Sequence, residues 1–276
     1  MGAIRFVFGL LFGSFINVIS LRYRPGKFLL DPEVIGGPAS TRLGEAGKTG
    51  RSRCPKCGKE LSWYELFPVL SFLFLKGRCS VCREKISFQY PIVEIISGFI
   101  FFLTPTSLGP HETIFSSIIW IAVFELLLIL ALIDFRLQII PDELSVFLCI
   151  LGVLNIFIES GGMPGFGALF VSNILVAFGV ALFFGGLFYI TRGRGMGMGD
   201  VKFAFPLGFL FGWPQTAVLV GLAFVIGAAC GLILIALKKK NMKSVVPFGP
   251  FLAVAAAIVF FFGPKLLNFY IYLLGK

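Results

Sequence analysis

The stretch IAVFELLLILALID, residues 121–134, is almost wholly apolar and ends on an aspartate. The stretch GRGMGMGD, residues 193–200, also ends on an aspartate, and a new apolar segment opens at Val201. A carboxylate at the edge of a lipid-embedded helix is expensive, so function is its default explanation. Asp134 and Asp200 lie 66 positions apart on different predicted helices. The pair therefore reads as an acid site assembled by folding.

The rest of the chain agrees that these helices lie in a membrane. Apolar residues make up 57% of the 276 positions, with 34 Phe, and charged residues only 14%. Soluble domains carry about 45–50% and about 25%. Too little polar surface exists to cover a globule. Apolar runs of roughly 17–25 residues can cross a bilayer. Candidate spans are 3–21, 92–108, 114–134, 143–158, 166–190, 201–213, 216–237 and 248–263, with the fourth marginal and the sixth short. The expected fold is all-α and polytopic, with about eight transmembrane helices and a small cysteine-rich domain between the first two. Residues 1–21 form the first span, 22–91 the cytoplasmic domain and 92–276 the membrane domain. Arg22 and Arg24 follow the first apolar run and no small-residue cleavage site does, so it reads as a retained helix rather than a signal peptide.

Basic residues fix the orientation. With the 22–91 loop inside, all but Arg5, Lys265 and Lys276 of the 24 Lys and Arg fall on the cytoplasmic side. Asp134 and Asp200 then lie at the same cytoplasmic depth, and both termini lie outside. The net charge of +10 needs no nucleic acid, since the basic residues sit as topology determinants beside anionic lipid. This includes the run KKKNMK at 238–243. Residues 31–50 read as a flexible Gly/Pro/Ser/Thr-rich loop. Residues 66–75, LFPVLSFLFL, are too short to span and read as an interfacial or buried hairpin. No long internal repeat is evident.

Cys54, Cys57, Cys79 and Cys82 form two C-x2-C knuckles. This framework presents four thiolates to one tetrahedral ion, typically zinc. A reducing compartment favours metal over disulfides, which remain the alternative. Four cysteine ligands leave no open position, so the site reads as structural. Cys149 and Cys230 lie in apolar spans and read as small buried hydrophobes.

Two neighbouring carboxyls that share one proton can divide the work of peptide hydrolysis. One acts as base toward water and the other as acid toward the scissile carbonyl. Asp134 and Asp200 are the candidates, and Gly197 and Gly199 would let the backbone approach a substrate chain. Asp142, after Pro141, reads as first-turn charge and is the substitute for Asp134. Glu125 lies off the face of Asp134 on a regular helix and reads as a packing residue. A phosphate-loop reading of GRGMGMGD lacks the strand it requires. His111, the one histidine, falls in a predicted external loop, so His-based nucleophilic catalysis has no base on the cytoplasmic side.

Gly197-Met198-Gly199-Asp200 with Val201-Lys202, and Ile133-Asp134 with Ile140-Pro141-Asp142, resemble the GxGD membrane aspartic proteases. Within that class the chain resembles the type IV prepilin leader peptidases. The resemblance extends in order through Gly13-Ser14-Phe15-Ile16-Asn17-Val18, both cysteine knuckles, Trp63-Tyr64-Glu65 with Pro68 and Ser71, Gln89-Tyr90-Pro91-Ile92-Val93-Glu94 and Pro247-Phe248-Gly249-Pro250. Leu66-Phe67 departs from the family pattern. The resemblance implies cleavage of a basic leader after glycine, at the cytoplasmic face of the bacterial inner membrane, in prepilins or pseudopilins of pilus and type II secretion systems. It also implies methylation of the new N-terminal residue with S-adenosylmethionine, with Asn17, Glu65 and Glu94 as participants. Rival readings are a magnesium-dependent transferase acting on a lipid phosphate and an ion-coupled transporter.

Overall fold

The computed structural model describes residues 2–26, 28, 31, 34, 52–54, 56–105, 114–193, 195–238 and 246–273. All of the 31–50 loop but Asp31 and Val34, His111 and most of the 238–243 run lie outside the described residues. Among the described residues all regular elements are helical. They are α1 Gly2–Arg22, a 3-10 turn Trp63–Leu66, α2 Leu70–Phe74, α3 Gln89–Leu103, α4 Ile114–Leu137, α5 Asp142–Glu159, α6 Met163–Thr191, α7 Met198–Phe211, α8 Gln215–Ala236 and α9 Gly249–Leu273. The chain divides into two compact units, Met1–Pro105 and Thr106–Lys276.

Each of the eight apolar stretches contains helix, but five helices are long and apolar enough to cross a membrane: Gly2–Arg22, Ile114–Leu137, Gly165–Thr191, Gln215–Ala236 and Gly249–Asn268. The other three fall short for separate reasons. α3 has 15 residues and α7 has 14, each about 21–23 Å of helix against a core of about 30 Å. α5 has 18 residues but carries Asp142, Glu143 and Glu159 at its ends.

In the first unit, α1 packs along α3. Glycine sets the distance. A Cβ on Gly9 would lie 2.5 Å from the Ser97 carbonyl oxygen, and one on Gly13 would lie 2.7 Å from the Glu94 Cα. This small-xxx-small stripe lets backbones touch, which is how helices associate where lipid is as apolar as leucine. The Ser97 hydroxyl donates to the Gly9 carbonyl at 2.6 Å across the same seam.

In the second unit, α4 packs on α5 and α9, and α7 packs on α5 and α6. Trp120 and Phe124 of α4 meet Phe260 of α9 with ring centroids 4.4 and 5.0 Å apart. Such pairs contribute about 0.5–1.5 kcal/mol beyond their buried area. α6 is apolar all round, with Ala177 and Phe184 buried while Phe178 and Leu182 are exposed, as expected of a helix that meets lipid.

Candidate functional site

Asp134 lies in the last turn of α4 and is 5% exposed. The backbone N–H of Gly249, the first residue of α9, donates to its Oδ2 at 2.9 Å. Helix starts carry N–H groups without an intrahelical acceptor, and a buried carboxylate needs donors, so each satisfies the other. A Cβ at position 249 would stand 2.6 Å from Asp134 Oδ2, so any other residue there would displace the carboxylate or the helix start. Gly249 was legible only as part of the Pro247–Pro250 motif; nothing local in the sequence joins it to a residue 115 positions away.

Asp200 occupies the first turn of α7 and is 8% exposed. Its Oδ2 accepts the Gly197 N–H at 3.1 Å, while the Asp200 N–H donates to the Gly197 carbonyl at 3.1 Å. Gly197 is the N-cap, with an extended backbone. Gly199 lies against Ile140, where a Cβ would come within 3.3 Å. The glycines expected to make room for a substrate thus also hold the acid and the α4–α5 corner in place.

The two carboxyls interact electrostatically with each other. Asp134 stands at the C-terminus of α4 and is bonded to the N-terminus of α9, and Asp200 stands at the N-terminus of α7. The two N-termini carry partial positive charge, which favours carboxylate there. One oxygen of each aspartate is held by backbone, and no described residue donates to either Oδ1. Asp142 is elsewhere engaged: Lys202 donates to both its oxygens, at 2.8 and 2.9 Å, in an exposed pair. Glu125 is buried within α4.

The four cysteine sulfurs lie within 4.8 Å of one another. Cys54 and Cys82 Sγ are 3.7 Å apart and Cys57 and Cys79 Sγ 3.9 Å, and all four cysteines are free. A tetrahedral ion with Zn–S bonds of about 2.3 Å sets S···S edges of about 3.8 Å. The site therefore fits zinc, and it is far from the roughly 2.05 Å of a disulfide. Backbone N–H groups of Cys82 and Val81 lower the pKa of the Cys79 thiol, while the neighbouring cysteines raise that of Cys82.

The two knuckles are copies of one device. RCPKCGKELS, 53–62, and RCSVCREKIS, 78–87, align at an offset of 25. In each, the first cysteine N–H bonds the carbonyl five residues on (Cys54 to Lys59 at 2.9 Å, Cys79 to Glu84 at 2.8 Å), and an antiparallel bridge closes the turn (Arg53 with Glu60, Arg78 with Lys85). The residue after each second cysteine has positive φ, Gly58 at 69° and Arg83 at 57°. Few identities survive between the copies, which is why this short repeat was missed from the sequence.

The expected methylation residues have different fates. Glu65 has both oxygens engaged: Lys59 donates to both at 2.8 and 3.0 Å, Ser80 to one at 2.6 Å, and the Ser62 N–H to the other at 2.9 Å. Lys59 and Ser80 hold its carboxyl down at about 2. The cluster ties one knuckle to the other and to the 3-10 turn. Glu94 accepts the Val69 N–H at 2.8 Å, and Ser14 donates to it. Asn17 donates to the Tyr90 and Gly13 carbonyls at 3.2 and 3.3 Å, and its buried Oδ1 has no partner among the described residues.

Sequence profiles of two families match the chain: the Bacterial Peptidase A24 N-terminal domain over residues 7–108, and the Type IV leader peptidase family over residues 121–232. The chain is 31% identical to a prepilin leader peptidase/N-methyltransferase of Pseudomonas putida, over 98% of this chain and 93% of the relative. It is 33% identical to one of Burkholderia pseudomallei strain K96243, over 95% and 85%, and 28% identical to one of Bacillus subtilis, over 98% and 98%. No solved structure matches it.

Proposed function

The chain belongs to the type IV leader peptidase family, and we propose that it is an inner-membrane, multi-pass aspartic endopeptidase that removes the basic leader of prepilin-like proteins after glycine and methylates the new N-terminus. We assign the hydrolysis to Asp134 and Asp200. The observation that supports this most directly is the pattern of engaged oxygens. Each aspartate spends Oδ2 on a backbone N–H and offers Oδ1. A water held between the two Oδ1 atoms would lose its proton to the ionised carboxylate as it attacks the scissile carbonyl. The protonated partner would donate to the carbonyl oxygen, and the roles reverse when the amine leaves. Gly197 and Gly249 keep the carboxylates aimed, and the helix starts disperse their charge.

In this reading the acids work at the cytoplasmic face and the termini lie outside, as the basic residues suggest. The apolar helix of the substrate lies in the bilayer, and its leader stays among the headgroups. Cys54, Cys57, Cys79 and Cys82 would hold a structural zinc ion, which would lock the two knuckles together. S-adenosylmethionine supplies the methyl group when bound. Glu65 is saturated, so it serves the scaffold rather than the methyl transfer.

The test is to incubate the purified protein in nanodiscs with a prepilin, with and without S-adenosylmethionine, and to weigh the products. Loss of the leader mass in both arms and a 14 Da gain in one would support the reading. An intact prepilin in both arms would reject it. The lipid-phosphate transferase alternative finds no support in the relatives, whose names are those of peptidase and methyltransferase.

A further inference from the structure

We propose that the segment from Trp63 to Phe74 is a membrane-surface wedge, inserted into the headgroup region of the anionic leaflet at which α1 ends and α3 begins. This stands apart from the peptidase reading and uses only the first unit.

The wedge is apolar where water should be. Trp63 is 75% exposed and Phe74 83%, and Tyr64, Phe67, Leu70 and Leu73 are exposed between them. A contiguous exposed patch of this kind marks an interaction surface. What sets it apart from loose packing is that the backbone beneath it is pinned. Glu65 faces inward onto Lys59 and Ser80, which forces its neighbours Trp63, Tyr64 and Phe67 outward. Val69 adopts φ 59°, ψ −48°, with the Leu70 N–H bonded to the Pro68 carbonyl: a γ-turn centred on a β-branched residue. Such strain persists only where surroundings enforce it. The enforcing contact is the Val69 N–H on Glu94.

That contact also sets the depth. Glu94 is in the second turn of α3, five residues and about 7 Å from its start. The apolar stretch of α3 begins before it, at Ile92. Val69 therefore stands level with the edge of the apolar span, and Phe72 packs on Phe88 just ahead of α3, with centroids 5.2 Å apart. The exposed side chains continue the surface of a helix that meets lipid. Trp and Tyr are the residues that settle at this level, and interfacial segments sink about 5–10 Å. Lys76, Arg78, Arg83 and Lys85 follow directly and are exposed, which suits anionic headgroups.

The test uses the full chain in nanodiscs of phosphatidylcholine and phosphatidylglycerol. The emission difference between the wild type and Trp63→Phe isolates Trp63, whose exposed ring makes the change mild. Lipids brominated along the acyl chain should quench that difference about twofold or more, while aqueous iodide leaves it nearly unchanged. Replacing phosphatidylglycerol by phosphatidylcholine, or introducing Leu73→Asp with Phe74→Asp, should weaken the bromolipid quenching and raise iodide quenching. Zinc content confirms that the variants fold. Hydrogen exchange on the unaltered chain, with amides 63–75 slower in nanodiscs than in detergent, gives a second readout should a variant fail. Iodide quenching without bromolipid quenching would overturn the proposal. So would protection that appears only on adding prepilin or on raising protein concentration, since substrate or a second copy would then be the occupant.

Discussion

Replacing Gly249 by alanine perturbs the catalytic proposal at one carbon atom. The added Cβ would stand 2.6 Å from Asp134 Oδ2 and 3.2 Å from its Cγ. Carbon and carboxylate oxygen rest about 3.3–3.6 Å apart, so roughly 0.7–1.0 Å of overlap must be relieved. Either the carboxylate swings off the Gly249 N–H, or the start of α9 retreats. In both cases a bond of 2.9 Å to a carboxylate is lost or bent. Hydrogen bonds to charged groups contribute about 1.5–3 kcal/mol, and a misplacement near 1 Å at a reacting group can cost about a hundredfold. We expect kcat/KM for leader release to fall by about 10². Global stability should move little, since alanine is the better helix former by about 0.5–1 kcal/mol and offsets part of the overlap. The control is Gly231→Ala, where a Cβ meets nothing within 4 Å. Leader release from a purified prepilin, followed by mass, reads the effect. Cleavage by Gly249→Ala within about threefold of wild type would refute the view that this contact aims Asp134.

Three further outcomes follow from the same geometry. Asp134→Asn and Asp200→Asn should each lower leader cleavage by about a thousandfold or more while zinc content stays at wild type; substantial cleavage by either sinks the dyad. Replacing Cys54 and Cys57 by serine should remove the bound zinc and expose the first unit to limited proteolysis; metal analysis that finds no zinc in the wild type would reject the site. Glu65 has its folded-state carboxyl lowered to about 2 from 4.5, so its contribution is complete above about pH 5 and is lost as the pH falls toward 2. Glu65→Gln should therefore destabilise the unit by about 1–2 kcal/mol at neutral pH, after allowance for the partly solvated Lys59, with the gap to wild type closing in acid; a gap independent of pH in thermal melts argues against it.

The helical class and the cysteine framework were legible in the sequence, and the two aspartates stood out there as candidates, because each leaves a local mark. Apolar runs, C-x2-C spacing and acids at span ends are all visible within a few residues. It could not reach the contacts that turn those marks into a site. Gly249 and Asp134 are 115 positions apart, and what joins them is a helix start needing an acceptor. Five of the eight expected spans have helices long and apolar enough to cross a membrane among the described residues. Hydropathy reports composition, whereas α3 ends at Leu103, short of the expected 108, and α7, already short in the sequence, has 14 residues. The 66–75 hairpin was legible as interfacial or buried. Which it is depends on Val69 meeting Glu94, again a contact between distant positions.

In the proposed mechanism, Glu65 and the two aspartates differ in how their oxygens are engaged. All are charged groups withdrawn from water, and each must be supplied with donors. Glu65 receives four donations spread over both oxygens, and two of them come from a lysine. Nothing remains on it with which to handle a substrate proton, and removing it would leave the lysine stranded. Among the described residues, Asp134 and Asp200 each take one hydrogen bond, from a backbone N–H that does not titrate. Such a bond aims the carboxylate and leaves Oδ1 available. Among the described residues no lysine or arginine donates to either. A pair that must trade one proton between its members needs both properties: geometry held by groups that do not titrate, and an oxygen on each side still open to water.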